Sequence, residues 1–389
     1  MGYFKKRLYV GVKPIVIFVV MLYSIQAFSV NIALSDDATN NGLVLKPLIS
    51  DLPASWAIKT SPDNFLYVSH RRGELSKYSL SGEKIASYDL QLKDLYWKGQ
   101  GGLSAIAFHP DFHTTPWIYV SYSFGNDKAN GLKVIRILLQ EANDQTSNIL
   151  KKETIYKQND LRDTAVHYGA RLAFMADGTL LISTGDGFDY RENAQKLTSD
   201  MGKILRVTDI GSIPKNNPFV NAKSPVQKNI YSLGHRNPQA LIVLPNNQII
   251  AHEHGPAGGD EINIIKPTNN YGWPVITQGK DYIGSLITPF TEYVGMEQPA
   301  YNWTPSIAPS GMVFYNYSNI APFANRLLVT SLKFKQLHTL RINEQGIEDE
   351  VVYFANSNYR MKDVAVSKDG RVFILSDGDL ATIFEVVMK

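Results

Sequence analysis

The stretch LAFMADGTLLISTGDG, Leu172–Gly187, decides the fold. It reads as a short apolar strand, an Asp-Gly turn, a second apolar strand and a Gly-flanked Asp186. The same pattern returns as IKTSPDNFLYVSH from Ile58, IAFHPDFHTTPWIYVSYS from Ile106, LIVLPNNQIIAHEHG from Leu241 and VAVSKDGRVFILSDGD from Val364. A weaker copy, MVFYNYSNIAPFANRLLVTSL, starts at Met312. Six hairpins spread along one chain cannot each bury both faces alone. Radial stacking as four-stranded blades buries them and leaves only short edges. The expected fold is therefore all-β, a six-bladed β-propeller, and a pair of β-sandwiches fits six evenly spread hairpins less well. LVLKPLIS from Leu43 is placed to close the ring against the last blade. In such a ring the inner strand ends and the loops beside them converge on the axis, where function is expected.

Outside the hairpins, composition narrows the possibilities. The 389 residues are 44% hydrophobic and 19% charged, ample for a large core. Residues 1–29 carry Lys5, Lys6, Arg7 and Lys13 ahead of an apolar run and read as a secretory signal peptide, leaving 30–389 as a single propeller domain. An uncleaved N-terminal anchor is the alternative, and no stable membrane span is expected after cleavage. The formal charge of +3 comes from 39 Lys and Arg against 36 Asp and Glu. Removing the four basic residues of the leader leaves 35 against 36, about −1. Nothing here points to nucleic acid. There is no cysteine, which excludes thiolate metal sites, cysteine nucleophiles and disulfides.

Three polar groups follow or precede strands. His167 stands just before one inner strand and Asp186 just after the next, so antiparallel pairing can bring them together. A carboxylate holding one imidazole nitrogen leaves the other free as a base; a structural His beside a turn Asp is the alternative. In HEHGPAGGDEIN, Glu253, Asp260 and Glu261 gather among glycines and Pro256, a set of carboxylates and exposed carbonyls suited to Ca²⁺ or simply to solvent. His252 and His254, two apart, would share a face but lack an obvious third ligand for zinc. The run His235-Arg236-Asn237-Pro238 sits between apolar segments.

GQGGLSAIAFHPDF, HYGARLAF, MGKILRV, GHRNPQ, EHGPAGGDEIN, NYGWP, WTPSIAPSG and SLK occur here in one order. With them the chain, from about Leu48 onward, resembles the soluble glucose/sorbosone dehydrogenase family of quinoproteins, most closely the periplasmic aldose sugar dehydrogenase type. That resemblance implies a six-bladed propeller, pyrroloquinoline quinone (PQQ) and Ca²⁺ as cofactors, and oxidation of aldoses at C1 to lactones. It implies His167 as base, Asp186 as the carboxylate that orients it, and Arg236 as a catalytic cation. Gln100, Arg236, Asn237, Tyr282, Ser306, Lys333, Arg360 and Lys362 would contact PQQ. Gly255 and Pro256 would offer carbonyls to the Ca²⁺ beside PQQ, and Glu261 and Tyr271 would hold a second Ca²⁺. His235 is expected to be structural.

The sequence departs from the family pattern in three places. Lys362 stands where many members carry arginine, Val166 where glucose-specialised members carry aspartate, and Ser104-Ala105 where Leu-Gly is common. Together with the absence of long insertions, these favour a broad aldose range. The expected partners are an aldose and an electron acceptor of unknown identity, the expected location is the periplasm, and the chain is expected as monomer or homodimer. A propeller that binds sugar or protein without turnover, and a Ca²⁺-dependent lactonase, are the competing readings.

Overall fold

A computed structural model describes residues 40–140, 148–343 and 346–389; the expected leader lies outside them. β1 (Leu43–Pro53) is the first strand of the described residues. The first blade is β2 (Ser55–Thr60), β3 (Leu66–His70), β4 (Glu74–Tyr78) and β5 (Lys84–Asp89). The second is β6 (Leu103–Phe108), β7 (Trp117–Gly125), β8 (Asn130–Leu139) and β9 (Ile149–Lys157). The third is β10 (Gly169–Phe174), β11 (Leu180–Thr184), β12 (Lys203–Val207) and β13 (Ile230–Leu233). The fourth is β14 (Pro238–Val243), β15 (Ile249–Glu253), β16 (Asp260–Ile265) and β17 (Tyr301–Trp303). The fifth is β18 (Pro309–Tyr315), β19 (Arg326–Ser331), β20 (Leu337–Asn343) and β21 (Gly346–Tyr353). The sixth is β22 (Met361–Val366), β23 (Val372–Ser376) and β24 (Leu380–Met388), completed by β1. The order β1-β24-β23-β22 closes the ring with the Leu43 segment, as its sequence suggests. This is a six-bladed β-propeller, and the six sequence hairpins are the two inner strands of each blade.

Local chemistry explains the hairpins. Asn64, Gly178, Asn247, Asn325 and Gly370 occupy the left-handed region in the turns between the first and second strands, a conformation that Gly and Asn adopt at little cost. Backbone bonds such as Gly178 N to Met175 O at 3.0 Å and Asn247 N to Leu244 O at 2.8 Å close these turns. The second strands β3, β11, β15, β19 and β23 are buried along their whole length, because neighbouring blades cover both faces. The core lies between blades: Trp56 of β2, Tyr119 of β7 and Leu180 of β11 belong to one apolar cluster spanning three of them.

A second regularity sets up the site. Every first strand pairs with its second strand through a bulge near its own start. In four blades a hydroxyl of the second strand caps the freed N–H: Ser69 on Ala57, Ser121 on Ala105, Ser183 on Arg171 and Thr330 on Gly311, at 3.1, 3.0, 3.0 and 2.7 Å. Ser69 and Ser121 also donate to the next blade, to the carbonyls of Ser104 and Ala170 at 2.5 and 2.6 Å. Bulges re-aim side chains and break the ladder, so one end of the axial channel is lined by irregular backbone and polar groups.

Candidate active site

The starts of the first strands and the loops that follow the second strands meet at this end. Arg71 follows β3, Asp186 follows β11, His254 to Pro256 follow β15, Lys333 follows β19 and Asp377 follows β23. Position in the repeat, not sequence distance, brings them together.

His167 and Asp186 meet as their positions require. His167 Nδ1 lies 2.8 Å from Asp186 Oδ1. The same oxygen accepts the Phe188 N–H at 2.8 Å, and Oδ2 accepts the Trp273 indole N–H at 2.8 Å. Asp186 is wholly buried. A carboxylate already accepting from two N–H groups takes a third, so His167 carries its proton on Nδ1 and its lone pair on Nε2. Burial lowers the His167 pKa below its ordinary value; Asp186 opposes this, and the Arg236 and Arg162 charges reinforce it. A neutral imidazole oriented by a carboxylate has the chemistry that general-base catalysis requires. His167 sits at φ +53°, in the left-handed region, which a non-glycine residue holds only when its surroundings impose it. Gln100 supplies one constraint, since its Oε1 accepts the His167 N–H at 2.8 Å. Gly185 supplies another: a Cβ there would come within 1.9 Å of the His167 carbonyl.

Arg236 reaches across the next loop. Its Nη1 donates to the carbonyls of His254 and Gly255 at 3.0 and 2.7 Å, and Nη2 to the Tyr282 hydroxyl at 3.3 Å. Its Nε is buried without a partner, an unfilled donor of the kind a ligand satisfies. Asn237 Oδ1 accepts from Gly169 N and Gln239 Nε2, both at 3.1 Å, which turns its amide nitrogen toward the cavity it lines. His235 does not face the ligand side. Its Nδ1 is bonded to Glu253 at 2.9 Å, its Nε2 to Ser232 at 2.9 Å, and its ring stacks on Tyr271 at 4.8 Å. Glu253 also accepts the Arg236 N–H, so the His235–Glu253 pair braces the loop that aims Arg236.

Three cavities share this end. The first, about 210 Å³, is lined by Gln100, Asn237, Arg71, Arg360, Lys362 and Asp377 among others. Arg360 pairs with Asp377 at 3.0 Å. The half-buried Lys362 makes no hydrogen bond among the described residues, and its ammonium stands 5.0 Å from the centre of the Trp56 ring. Burial pushes its pKa down to about 8, with Asp377 opposing. Three cations around one carboxylate fit a multiply anionic ligand. The second cavity, about 710 Å³, is lined by Gly255, Pro256, Tyr282, Ser306 and Lys333. Ser306 donates to Asp260 at 2.5 Å, and Asp260 also accepts the Gly255 N–H at 2.9 Å; Ser306 thus braces the Gly255 turn. The third, about 200 Å³, is lined by Phe188, Arg191, Arg236, Pro256, Trp273 and Tyr282 among others. His254 borders the first two cavities. It donates through Nε2 to the Pro309 carbonyl at 2.7 Å, and burial pushes its pKa down to about 3, so it stays neutral.

Of the residues expected to hold a second cation, Glu261 faces Glu253 directly across β15 and β16. Burial, with Glu253 next in weight, pushes its pKa up to about 8. Tyr271 joins this group through its stack on His235. Among the described residues there is no cluster of three or more His, Cys, Asp or Glu able to hold a metal, so a cation here would depend on backbone carbonyls as well. His252 is buried, and among the described residues neither ring nitrogen has a hydrogen-bond partner.

Sequence reasoning missed two residues. Arg71 donates from Nε and Nη2 to Gly101 O at 3.0 and 2.6 Å, and from Nη2 to Gly99 O. It clamps the carbonyls on both sides of Gln100. Trp273 holds Asp186 from the opposite side to His167. Nothing local announces either role, although Trp273 lies within NYGWP.

A six-bladed propeller with a carboxylate-oriented histidine beside a cationic cavity defines a class of axial-site enzyme, and comparison with known proteins narrows it. The glucose/sorbosone dehydrogenase family matches residues 52–385, and the chain belongs to that family. The curated aldose sugar dehydrogenase YliI of Escherichia coli is 34% identical over 85% of this chain and 89% of its own. The crystal structure of the soluble E. coli aldose sugar dehydrogenase, in the apo form, superposes with a TM-score of 0.83 at 33% identity, covering 89% of this chain and all of that one. Quinoprotein glucose dehydrogenase B of Acinetobacter calcoaceticus is 28% identical over 85% of both chains.

Proposed function

We propose that this protein is a PQQ-dependent aldose dehydrogenase that oxidises the C1 position of sugars to the lactone. The observation that carries the reading is the His167–Asp186 pair set against a cavity ringed by Arg71, Arg360 and Lys362. The names of the E. coli and Acinetobacter relatives, an aldose sugar dehydrogenase and a quinoprotein, support the same reading.

When bound, PQQ supplies the hydride acceptor and Ca²⁺ a Lewis acid beside it. The chain's own residues do the rest. Arg360, Lys362 and Lys333 would meet the cofactor's carboxylates, and Gln100, Asn237 and Tyr282 its ring. The Gly255 and Pro256 carbonyls would face the Ca²⁺. The Gly255 carbonyl already accepts from Arg236, which couples the cation site to the guanidinium. His167 Nε2 takes the proton of the anomeric hydroxyl, and the imidazolium that forms is stabilised by Asp186. Arg236, with its free Nε, steadies negative charge near the reacting centre. Glu261 and the Tyr271 carbonyl would bind the second Ca²⁺, which would relieve the facing Glu253 and Glu261 carboxylates.

Export to the periplasm is part of the proposal and rests on the leader-like residues 1–29. Among the described residues no helix is long and apolar enough to cross a membrane. The test is reconstitution of purified protein with PQQ and Ca²⁺, following dye reduction over a panel of aldoses. Dye reduction that needs PQQ and an oxidisable anomeric carbon is the expected result. Its absence, or lactone hydrolysis without PQQ, rejects the proposal.

A further inference from the structure

Lys203 opens β12 behind the site and has no task in the chemistry above. Its side chain is wholly buried. The ammonium donates to three backbone carbonyls, those of Asn193, Ala194 and Met201, at 2.8, 2.9 and 2.7 Å. All three of its N–H groups are therefore used, and by carbonyls rather than carboxylates. Burial pushes the Lys203 pKa down to about 7, with Asp200 and Asp160 opposing. A buried cation is costly unless its hydrogen bonds are filled, and this cage fills them.

The cage is made from groups that also hold the site. Asn193 and Ala194 belong to a short 3₁₀ turn, Arg191–Gln195. The Ala194 carbonyl also accepts the Gly234 N–H at 3.0 Å, where the loop that carries Arg236 begins. Gln195 donates from Nε2 to the Trp273 carbonyl at 2.7 Å and to Asn270 Oδ1 at 3.0 Å. Trp273 in turn holds Asp186 through its indole N–H. Gly202, beside Lys203, donates its N–H to the Gly185 carbonyl, and its own carbonyl accepts the His235 N–H, both at 3.1 Å. The loops of Asp186, Arg236 and Trp273 thus converge on the segment that one ammonium pins. The packing there is close: a Cβ on Gly202 would come within 2.5 Å of the His235 carbonyl and 2.6 Å of Ala194 Cβ.

We propose that Lys203 is a positioning residue whose ammonium serves as a built-in monovalent cation. It fixes the 191–195 turn. Through Gln195 and Gly234 it sets where Trp273 holds Asp186 and where Arg236 points. The inference rests on the proposed sugar-oxidising function only for its effect on turnover. The cage, emptied of the side chain, becomes a site for a cation the size of ammonium. Its spacing is too long for Ca²⁺, whose oxygen ligands lie at about 2.3–2.6 Å.

The test is rescue of Lys203→Ala by methylammonium, with tetramethylammonium, which has no N–H, as the salt control. In holoenzyme the variant should lose about tenfold to a hundredfold in kcat, with KM and PQQ affinity within about threefold, since a misplacement of about 1 Å can cost about 10²-fold. Methylammonium should restore most of that loss and saturate, and tetramethylammonium should not. An unchanged kcat, a folded variant that methylammonium leaves impaired, or equal rescue by both salts overturns the proposal. The second readout needs no turnover. In protein without PQQ, the Trp273 indole N–H resonance should shift in Lys203→Ala and return with methylammonium; a resonance that does not move overturns the proposal as well. If Lys203→Ala does not fold, Gln195→Leu cuts the same path and keeps the lysine. It should lower kcat about fivefold and shift the Trp273 resonance, and the absence of both effects refutes the path. No dye reduction by the unaltered holoenzyme would reject the proposed function and leave the Trp273 resonance to decide this inference.

Discussion

The two ends of the axial channel are built by the same six strands and are chemically unlike. At the starts of the first strands lie bulges, hydroxyl caps and the cavity ringed by Arg71, Arg360 and Lys362. At their other ends lies a cavity of about 390 Å³ walled largely by apolar side chains such as Phe108, Phe174, Val243 and Val366, with Lys59 among them. Between them Arg171 and Asp363 pair at 3.1 Å, and Arg171 covers Trp56 at 4.2 Å, beside a void of only about 30 Å³. The reason is the repeat. At the far end four of the six pairs of inner strands are joined by tight turns with a left-handed Asn or Gly, at Asn64, Gly178, Asn247 and Gly370, which leave little freedom. At the near end each chain segment leaves for another strand or blade, and loop length and composition can vary without disturbing the hairpin. Chemistry collects where the backbone is least constrained.

The sharpest way to break this contrast is at the base. His167→Ala should cut turnover about 10²–10⁴-fold while PQQ affinity, read by fluorescence titration, stays within about twofold. Comparable turnover would move catalysis elsewhere on the ring. The proposed base role of the same histidine also predicts a pH dependence. Its pKa is lowered, so the neutral base is already present at pH 7, and kcat/KM should be flat there and fall only in acid, below its ordinary value near 6.5. An acid limb centred above pH 7 would contradict the buried geometry.

Arg71 comes next. Arg71→Met frees the Gly99 and Gly101 carbonyls and with them Gln100, which holds the His167 backbone. A misplacement of about 1 Å can cost about 10²-fold, so kcat should drop by about tenfold to a hundredfold with only a small change in melting temperature. An unchanged kcat would show that the clamp is dispensable.

Lys362 tests the cationic end itself. Arginine could grip a carboxylate with two parallel bonds, so Lys362→Arg should tighten PQQ binding about tenfold. The lysine is also lowered to about 8, so it loses its charge as pH rises through that value. PQQ affinity of the unaltered protein should then weaken above pH 8, and that of the variant should not. Parallel pH profiles would place Lys362 outside the ligand's reach.

Glu261→Gln should abolish a Ca²⁺-dependent rise in melting temperature, which in the unaltered protein is expected to be a few degrees. Because Glu261 is raised to about 8 and must lose its proton to bind a cation, Ca²⁺ stabilisation should grow as pH rises toward 8. The smallest expected effect is none. Lys59→Met, at the far end, should leave PQQ affinity and kcat within twofold, and a larger change would mean that the two ends communicate through the Arg171–Asp363 pair.

These comparisons also explain what could be read in advance. The hairpins were legible because each needs its own turn chemistry within a few residues, and Leu43 as the closing strand was legible because the last blade lacked a fourth. That His167 can meet Asp186 was legible from strand direction, while a structural His beside a turn Asp stayed open as the alternative. The bulge caps left a faint trace, a Ser or Thr near the end of the second strand in VSH, VSYS, IST and VTS, but a hydroxyl there has no meaning until the blade is assembled. Arg71 and Trp273 left none, because each acts on a carbonyl or carboxylate supplied by a distant loop. Ser306 illustrates the opposite limit. Its place near the cofactor region was expected, whereas its bond to Asp260 depends on how the Thr304–Ala308 segment folds back on β16.

The pairing of β1 with β24 sets a timetable. Among the described strands the first in sequence is matched to the last, so it must wait through the synthesis of every blade before it finds a partner. Until the nine residues of β24 arrive, β23 and β1 both present unpaired edges that can recruit a neighbouring chain. Contacts so far apart in sequence also form slowly. Loss of those nine residues would therefore cost more than a surface strand: it would leave an otherwise complete ring open at one seam, and the usual fate of such a chain is aggregation rather than a slightly weaker enzyme.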